Sequence, residues 1–137
     1  MSSDKNVRWL KGVYLYNIVG AGSFGLGILA MPELIRSLFG LPDQDPIVFG
    51  VMGSMWLALG LVSMLGLRSP VRYAPVLLLQ LSYKVAWFAG VVLPLMLGGR
   101  FPSHGIPFAV IFATYIIGDL VAIPFPYVLA RQAAAEG

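Results

Sequence analysis

The chain contains no cysteine, and this closes off several chemistries at once. Disulfides, thiolate nucleophiles, iron–sulfur clusters and the common zinc sites all need that residue. A single histidine, His104, cannot by itself form a bis-histidine haem site. Charge is also scarce. Charged residues make up 11% of the 137 residues, against roughly 25% in soluble domains. That is too few to cover a globule in water. The net charge of +3 is scattered, with no basic run and no RNA-binding aromatic motif, so nucleic acid is not an expected partner.

What is present is apolar length. The chain is 58% hydrophobic, with a mean hydropathy of +0.84. Four long apolar runs stand out, over about 11–31, 47–67, 73–97 and 106–130. Each is long enough for a hydrocarbon core of about 30 Å at about 1.5 Å per residue. The first follows a short basic start (Lys5, Arg8, Lys11) with Trp9 at the position of an interfacial aromatic. It is longer than a signal-peptide core and lacks a cleavage motif, so it reads as an uncleaved span. Ala21 with Gly25, and Ser23 with Gly27, are small residues four apart that allow a neighbouring helix to approach closely. In the second run Gly50, Gly53, Leu57, Gly60 and Met64 fall near one helical face.

Between the first two runs, Pro32–Phe39 places Leu34, Ile35, Leu38 and Phe39 on one helical face, opposite Glu33 and Arg36. It is too short to span and reads as an interfacial helix closed by Gly40. Asp45 followed by Pro46 is an N-cap and first-turn signal. Ser69 followed by Pro70 repeats that signal before the third run. Pro94 should kink the third run, and Pro124 and Pro126 interrupt the fourth. The expected architecture is therefore all-α: one domain, residues 1–137, with four transmembrane helices in an antiparallel bundle and a short interfacial helix between the first and second. Six Lys and Arg residues (Lys5, Arg8, Lys11, Arg68, Arg72, Arg131) fall on one side, against Arg36 and Arg100 on the other. The bias puts both termini in the cytoplasm, and the chain in a bacterial-type cytoplasmic membrane.

Two charges lie deep inside apolar runs, Lys84 in the third and Asp119 in the fourth. Lys84 is twelve residues after Arg72, and Asp119 is twelve before Arg131. At about 1.5 Å per residue each sits roughly 18 Å from the interface that the arginines mark, so the two are level and are expected in direct or one-water contact. Pairing removes the cost of a lone charge there, about 2.5–3.5 kcal/mol. Gln80 is one turn before Lys84 and Tyr115 one turn before Asp119. Asn17 lies in the first run, and Trp87 would form an aromatic wall one turn past Lys84. The carbonyls freed by Pro124 and Pro126 are further acceptors for the ammonium. The pair reads either as an internal clasp or as a proton- or ligand-responsive site. No nucleophile or metal-ligand set accompanies it, so it defines no reaction class and no cofactor is expected.

The stretches MPELIRSLFGLP (Met31–Pro42) and GSMWLALGL (Gly53–Leu61) resemble the DoxX-like group of small four-helix bacterial membrane proteins. The resemblance is one of layout, and it implies a quinone-linked or redox-accessory role. The Arg and Lys positions common in the first span of that group are absent here. Three functions follow as expectations. The first is a non-enzymatic membrane protein that binds a small apolar or amphipathic ligand, or a partner subunit, around Lys84 and Asp119. The second is a small proton-coupled transporter or permease component. The third is an accessory subunit of a quinone- or lipid-handling enzyme. The expected partners are membrane lipid, a small apolar ligand or quinone, and a second copy or a larger membrane complex.

Overall fold

The computed structural model describes residues 2–130, with side chains from residue 6 onward. Arg131 and the side chain of Lys5, both used in the topology argument, lie outside the described residues. Among these residues the chain is helical, with no strand. Helix α1 (Ser2–Tyr16) continues through a π turn (Asn17–Gly22) into α2 (Ser23–Ala30). Then come α3 (Pro32–Leu38), α4 (Pro46–Arg68) and α5 (Ala74–Trp87), the last running through a second π turn (Phe88–Val92) into α6 (Leu93–Leu97). A 3-10 turn (Ser103–Gly105) leads into α7 (Ile106–Ala122), followed by the short α8 (Phe125–Leu129). Four stretches are long and apolar enough to cross a membrane: Asn6–Ala30, Pro46–Arg68, Ala74–Leu97 and Ser103–Ala122.

The connection between the first two long helices follows local chemistry. Gly40 adopts a φ of 63°, and the Leu41 amide reaches back to the Arg36 carbonyl at 2.9 Å, a glycine-closed helix end. Asp45 caps α4, its Oδ1 accepting from the amides of Ile47 (2.8 Å) and Val48 (3.0 Å), an arrangement worth about 1 kcal/mol. Arg36 bonds Glu33 (3.1 Å from Nε) and Asp43. Its guanidinium is held above its ordinary pKa, first by the Glu33 hydrogen bond. In α3, Leu34 and Leu38 stay exposed while Ile35 packs toward Gly27 and Phe39 toward Phe24.

Two boundaries differ from expectation. The third long helix starts at Ala74 with Tyr73 at its cap and Pro75 in the first turn, so Ser69 is not its N-cap. Residues 69–73 form a turn instead, and the buried Tyr14 hydroxyl pins it by donating to the Pro70 carbonyl at 2.7 Å. The fourth long helix ends at Ala122 rather than near Ala130. Ile123, which precedes Pro124, is extended (ψ 124°), as the residue before a proline prefers.

The first long helix packs along the second through small residues. Gly22 lies against Gly60, and Gly25 against Gly53 and the backbone of Leu57, while Gly66 accommodates the Tyr14 ring. Gly25, Gly53, Leu57 and Gly60 thus meet as their spacing suggests. Gly50 faces open space and Met64 is exposed, so both lie off this seam.

Three layers succeed one another along the helices. Nearest the Arg68–Arg72 turn is an apolar core of Leu10, Val13, Tyr14, Ala74, Leu77, Leu81, Ala122 and Ile123. Next come the buried polar residues Asn17, Ser63, Gln80, Lys84 and Asp119. Beyond them lies a cluster of rings that includes Phe24, Trp56, Phe108 and Phe112. Polar side chains are inside, and large apolar ones such as Val19, Leu79 and Ile117 are exposed.

The α2–α4 seam gives a direct test. A Cβ at Gly25 would lie 2.5 Å from the Gly53 carbonyl oxygen, and backbone cannot move aside as a side chain can. Gly25→Ala should lower stability by about 1–3 kcal/mol, the usual cost of overpacking. Gly12→Ala, where nothing lies within 4 Å, should be neutral or slightly stabilising. Thermal unfolding in detergent checks this, and equal losses at the two positions would remove the close-packing account.

Candidate functional site

Asp119 and Gln80 are both fully buried. The Gln80 Nε2 donates to both carboxylate oxygens of Asp119, at 2.9 and 3.0 Å. Lys84, one turn further along, takes a different environment. Its ammonium donates to the Tyr83 hydroxyl at 2.7 Å. It lies over three rings, 4.3 Å from the Tyr83 centroid, 4.5 Å from Tyr115 and 4.9 Å from Phe112. Such ring faces favour a cation, most of all where water is excluded.

Lys84 and Asp119 form neither a hydrogen bond nor an ion pair. Among the described residues, ion pairs join Arg36 to Glu33 and to Asp43. Of the expected direct or one-water contact between them, the direct form is therefore corrected. Equal depth requires a helical rise for every residue from Asp119 to Arg131, but α7 stops at Ala122 and Ile123 is extended. Asp119 sits level with Gln80. Lys84 is displaced by one turn, about 6 Å. The carbonyls freed by the prolines do not receive the ammonium either, which bonds Tyr83.

The remaining expected residues divide. Tyr115 belongs to the lysine's surroundings, and its hydroxyl also donates to the Tyr16 carbonyl at 3.0 Å, at the start of the first π turn. Its ring stacks on Tyr16 with centroids 4.0 Å apart. Gly20 is what lets that hydroxyl approach, since a Cβ there would collide with it. Asn17 is buried in the polar layer but bonds Ser63 (3.1 Å), whose hydroxyl in turn donates to the Leu59 carbonyl (2.7 Å). Trp87 meets Phe112 and Phe88 edge-on at 5.0 and 5.1 Å. It does not line the cleft described next. Asn17 Oδ1 and Gln80 Oε1 remain buried acceptors with no donor among the described residues.

A cleft of about 190 Å³ opens beside Lys84. All four long helices contribute to it, with Tyr16 and Phe24 from the first, Trp56 from the second, Tyr83 and Lys84 from the third, and Phe108, Phe112 and Tyr115 from the fourth. Most of these rings escaped sequence reasoning, although one signal was available. Phe108, Phe112, Tyr115 and Asp119 are spaced four, three and four residues apart, which places them on one helical face. Among the described residues no group of acidic or histidine side chains could hold a metal ion. The arrangement offers one cationic hydrogen-bond donor in an aromatic cleft, with a separate carboxylate–amide pair beneath it. No protein-family model matches the chain, and neither a curated protein nor a solved structure does.

The partner assignment is testable by double-mutant cycles. Gln80→Leu strips the Asp119 carboxylate of its donor and should cost about 1–3 kcal/mol. Adding Asp119→Leu should recover much of that, since an apolar pair replaces a half-satisfied polar one. The coupling between Gln80 and Asp119 should lie in the range of about 0.5–3 kcal/mol. Coupling between Lys84→Met and Asp119→Leu should be smaller. The reverse order in an unfolding assay would make the ammonium, not the amide, the partner of the carboxylate.

Proposed function

We propose that this chain is a small integral membrane protein whose four spans form an antiparallel bundle, and that the cleft at Lys84 binds a small apolar or amphipathic ligand. The observation that carries the binding reading is Lys84 itself, 2% exposed and, among the described residues, in no ion pair at the wall of an aromatic cleft. Ionisable groups buried between apolar helices are costly and are kept where they serve a pocket or pathway. Membrane insertion is supported by the inverted polarity of the fold. Exposed Val19, Leu79, Leu97 and Ile117 would be poorly placed in water and well placed in lipid. The Lys and Arg bias supports a cytoplasmic membrane with both termini inside. Membership of the DoxX-like group belongs to the same proposal and rests on Met31–Pro42 and Gly53–Leu61.

A second reading has its own observation. Asp119 is a fully buried carboxylate held by an amide rather than by a cation, which suits a group that gains and loses a proton in a small proton-coupled carrier. The two readings separate in liposomes. A binding protein shows ligand-dependent thermal stabilisation without flux. A carrier shows flux that depends on the pH gradient and is lost in Asp119→Asn.

Topology is the first thing to measure. A cytoplasmic reporter fused after Gly137 should be active, as should periplasmic reporters placed at Asp43–Asp45 or at Ser103–Gly105. An active periplasmic reporter within Arg68–Arg72 would overturn the four-span arrangement.

A further inference from the structure

We infer that the cleft takes a single-ring aromatic anion, with the Lys84 ammonium as its counter-charge and the surrounding rings as its stacking walls. The inference rests on the ligand-binding reading above and adds the chemical class. It starts from the charge balance. Asp119 is engaged with Gln80 Nε2 through both oxygens and forms no ion pair with Lys84. The ammonium has three N–H donors, and among the described residues one of them is used, donating to the Tyr83 hydroxyl. Ring faces at 4.3–4.9 Å stabilise the cation without supplying a negative charge. A buried cation in this position favours an anion that brings an acceptor oxygen, because charge-assisted hydrogen bonds strengthen where water is excluded.

The walls define the rest of the ligand. Phe24, Trp56 and Phe108 form one side of the cleft and meet at 5.1–6.4 Å between centroids. Phe112 and Tyr115 join the ring face to the ammonium. Rings stack on rings with a preference beyond simple area burial, of about 0.5–1.5 kcal/mol per pair. Size sets the limit. An apolar cavity of about 150 Å³ accepts benzene, so about 190 Å³ is room for one substituted ring, with any larger part lying outside the cleft. The acidic group points to Lys84, the ring lies among the phenylalanines and Trp56, and a short alkyl substituent extends toward lipid.

The test uses the full chain in nanodiscs of uncharged lipid. The chain has three tryptophans, so Trp9→Phe with Trp87→Phe leaves Trp56, in the cleft wall, as the fluorescent reporter. Three probes are titrated: para-butylbenzoate, para-butylbenzamide of matching shape without charge, and octanoate, an anion without a ring. Benzoate should change Trp56 emission with an affinity roughly tenfold or more above the amide, in line with a charge-assisted bond. It should also exceed octanoate. Lys84→Met should abolish the advantage of benzoate over benzamide while benzamide still binds. The wild-type-lysine titrations decide the matter even if that variant does not fold. Equal affinity for benzoate and benzamide would overturn the charge assignment. Octanoate matching benzoate would overturn the aromatic assignment and make an acyl anion of the lipid type the occupant. No response to any of the three would overturn this inference and the ligand-binding reading together.

Discussion

The desolvated contact between Gln80 and Asp119 is the constraint on which the middle of this fold depends. A carboxylate surrounded by apolar helices has no water to turn to, so a donor must come from a neighbouring helix. The Gln80 amide supplies it, and this fixes the register of α5 against α7. The apolar layer of Leu77, Leu81, Ala122 and Ile123 lies beside the pair and the ring layer begins one turn beyond it. Because the amide takes the carboxylate, the lysine is released from it. Lys84 instead becomes the one cation in the buried polar layer, set among Tyr83, Phe112 and Tyr115. One hydrogen-bonded pair thus leaves the buried lysine, among the described residues, without a carboxylate in direct contact.

The long helices were readable from the sequence because their signals are local. Twenty apolar residues in a row, a capping aspartate before a proline, and a glycine closing a short amphipathic turn each act within a few positions. Asp45 and Gly40 behave accordingly. Most of the buried polar residues were also readable, since Asn17, Gln80, Lys84, Tyr115 and Asp119 are all buried in the folded chain, although Ser63 was missed and Trp87 is only partly buried. Their pairing was not. It depends on axial offsets between helices, and counting residues from Arg72 and Arg131 does not give those offsets once α7 ends at Ala122. A sequence argument that converts residue number into depth fails wherever the rise per residue changes.

The aromatic cleft illustrates a different limit. Each ring has an ordinary position in an apolar helix, and nothing local separates a ring facing outward from one facing its neighbours. Phe24, Trp56 and Phe108 come from three different helices and become a wall only when glycines allow the first two to approach closely. Small residues on one side of the second helix therefore shape the ring layer on the other. The cleft is a property of the packing, and no single stretch of the sequence carries it.

The two π turns have a consequence for how this protein can change over time. A π turn amounts to one extra residue accommodated inside an α-helix. Elsewhere in a long helix, deleting one codon turns every later side chain by about 100° and dismantles the buried faces. Within Asn17–Gly22 or Phe88–Val92, a deletion can instead be absorbed by converting the wide turn to an ordinary one. The cost would fall on the local bond that the wide turn exposes, such as the Tyr16 carbonyl that receives the Tyr115 hydroxyl. These two short segments are therefore the places where the gene can lose a codon inside a long apolar helix and leave the remaining seams in register.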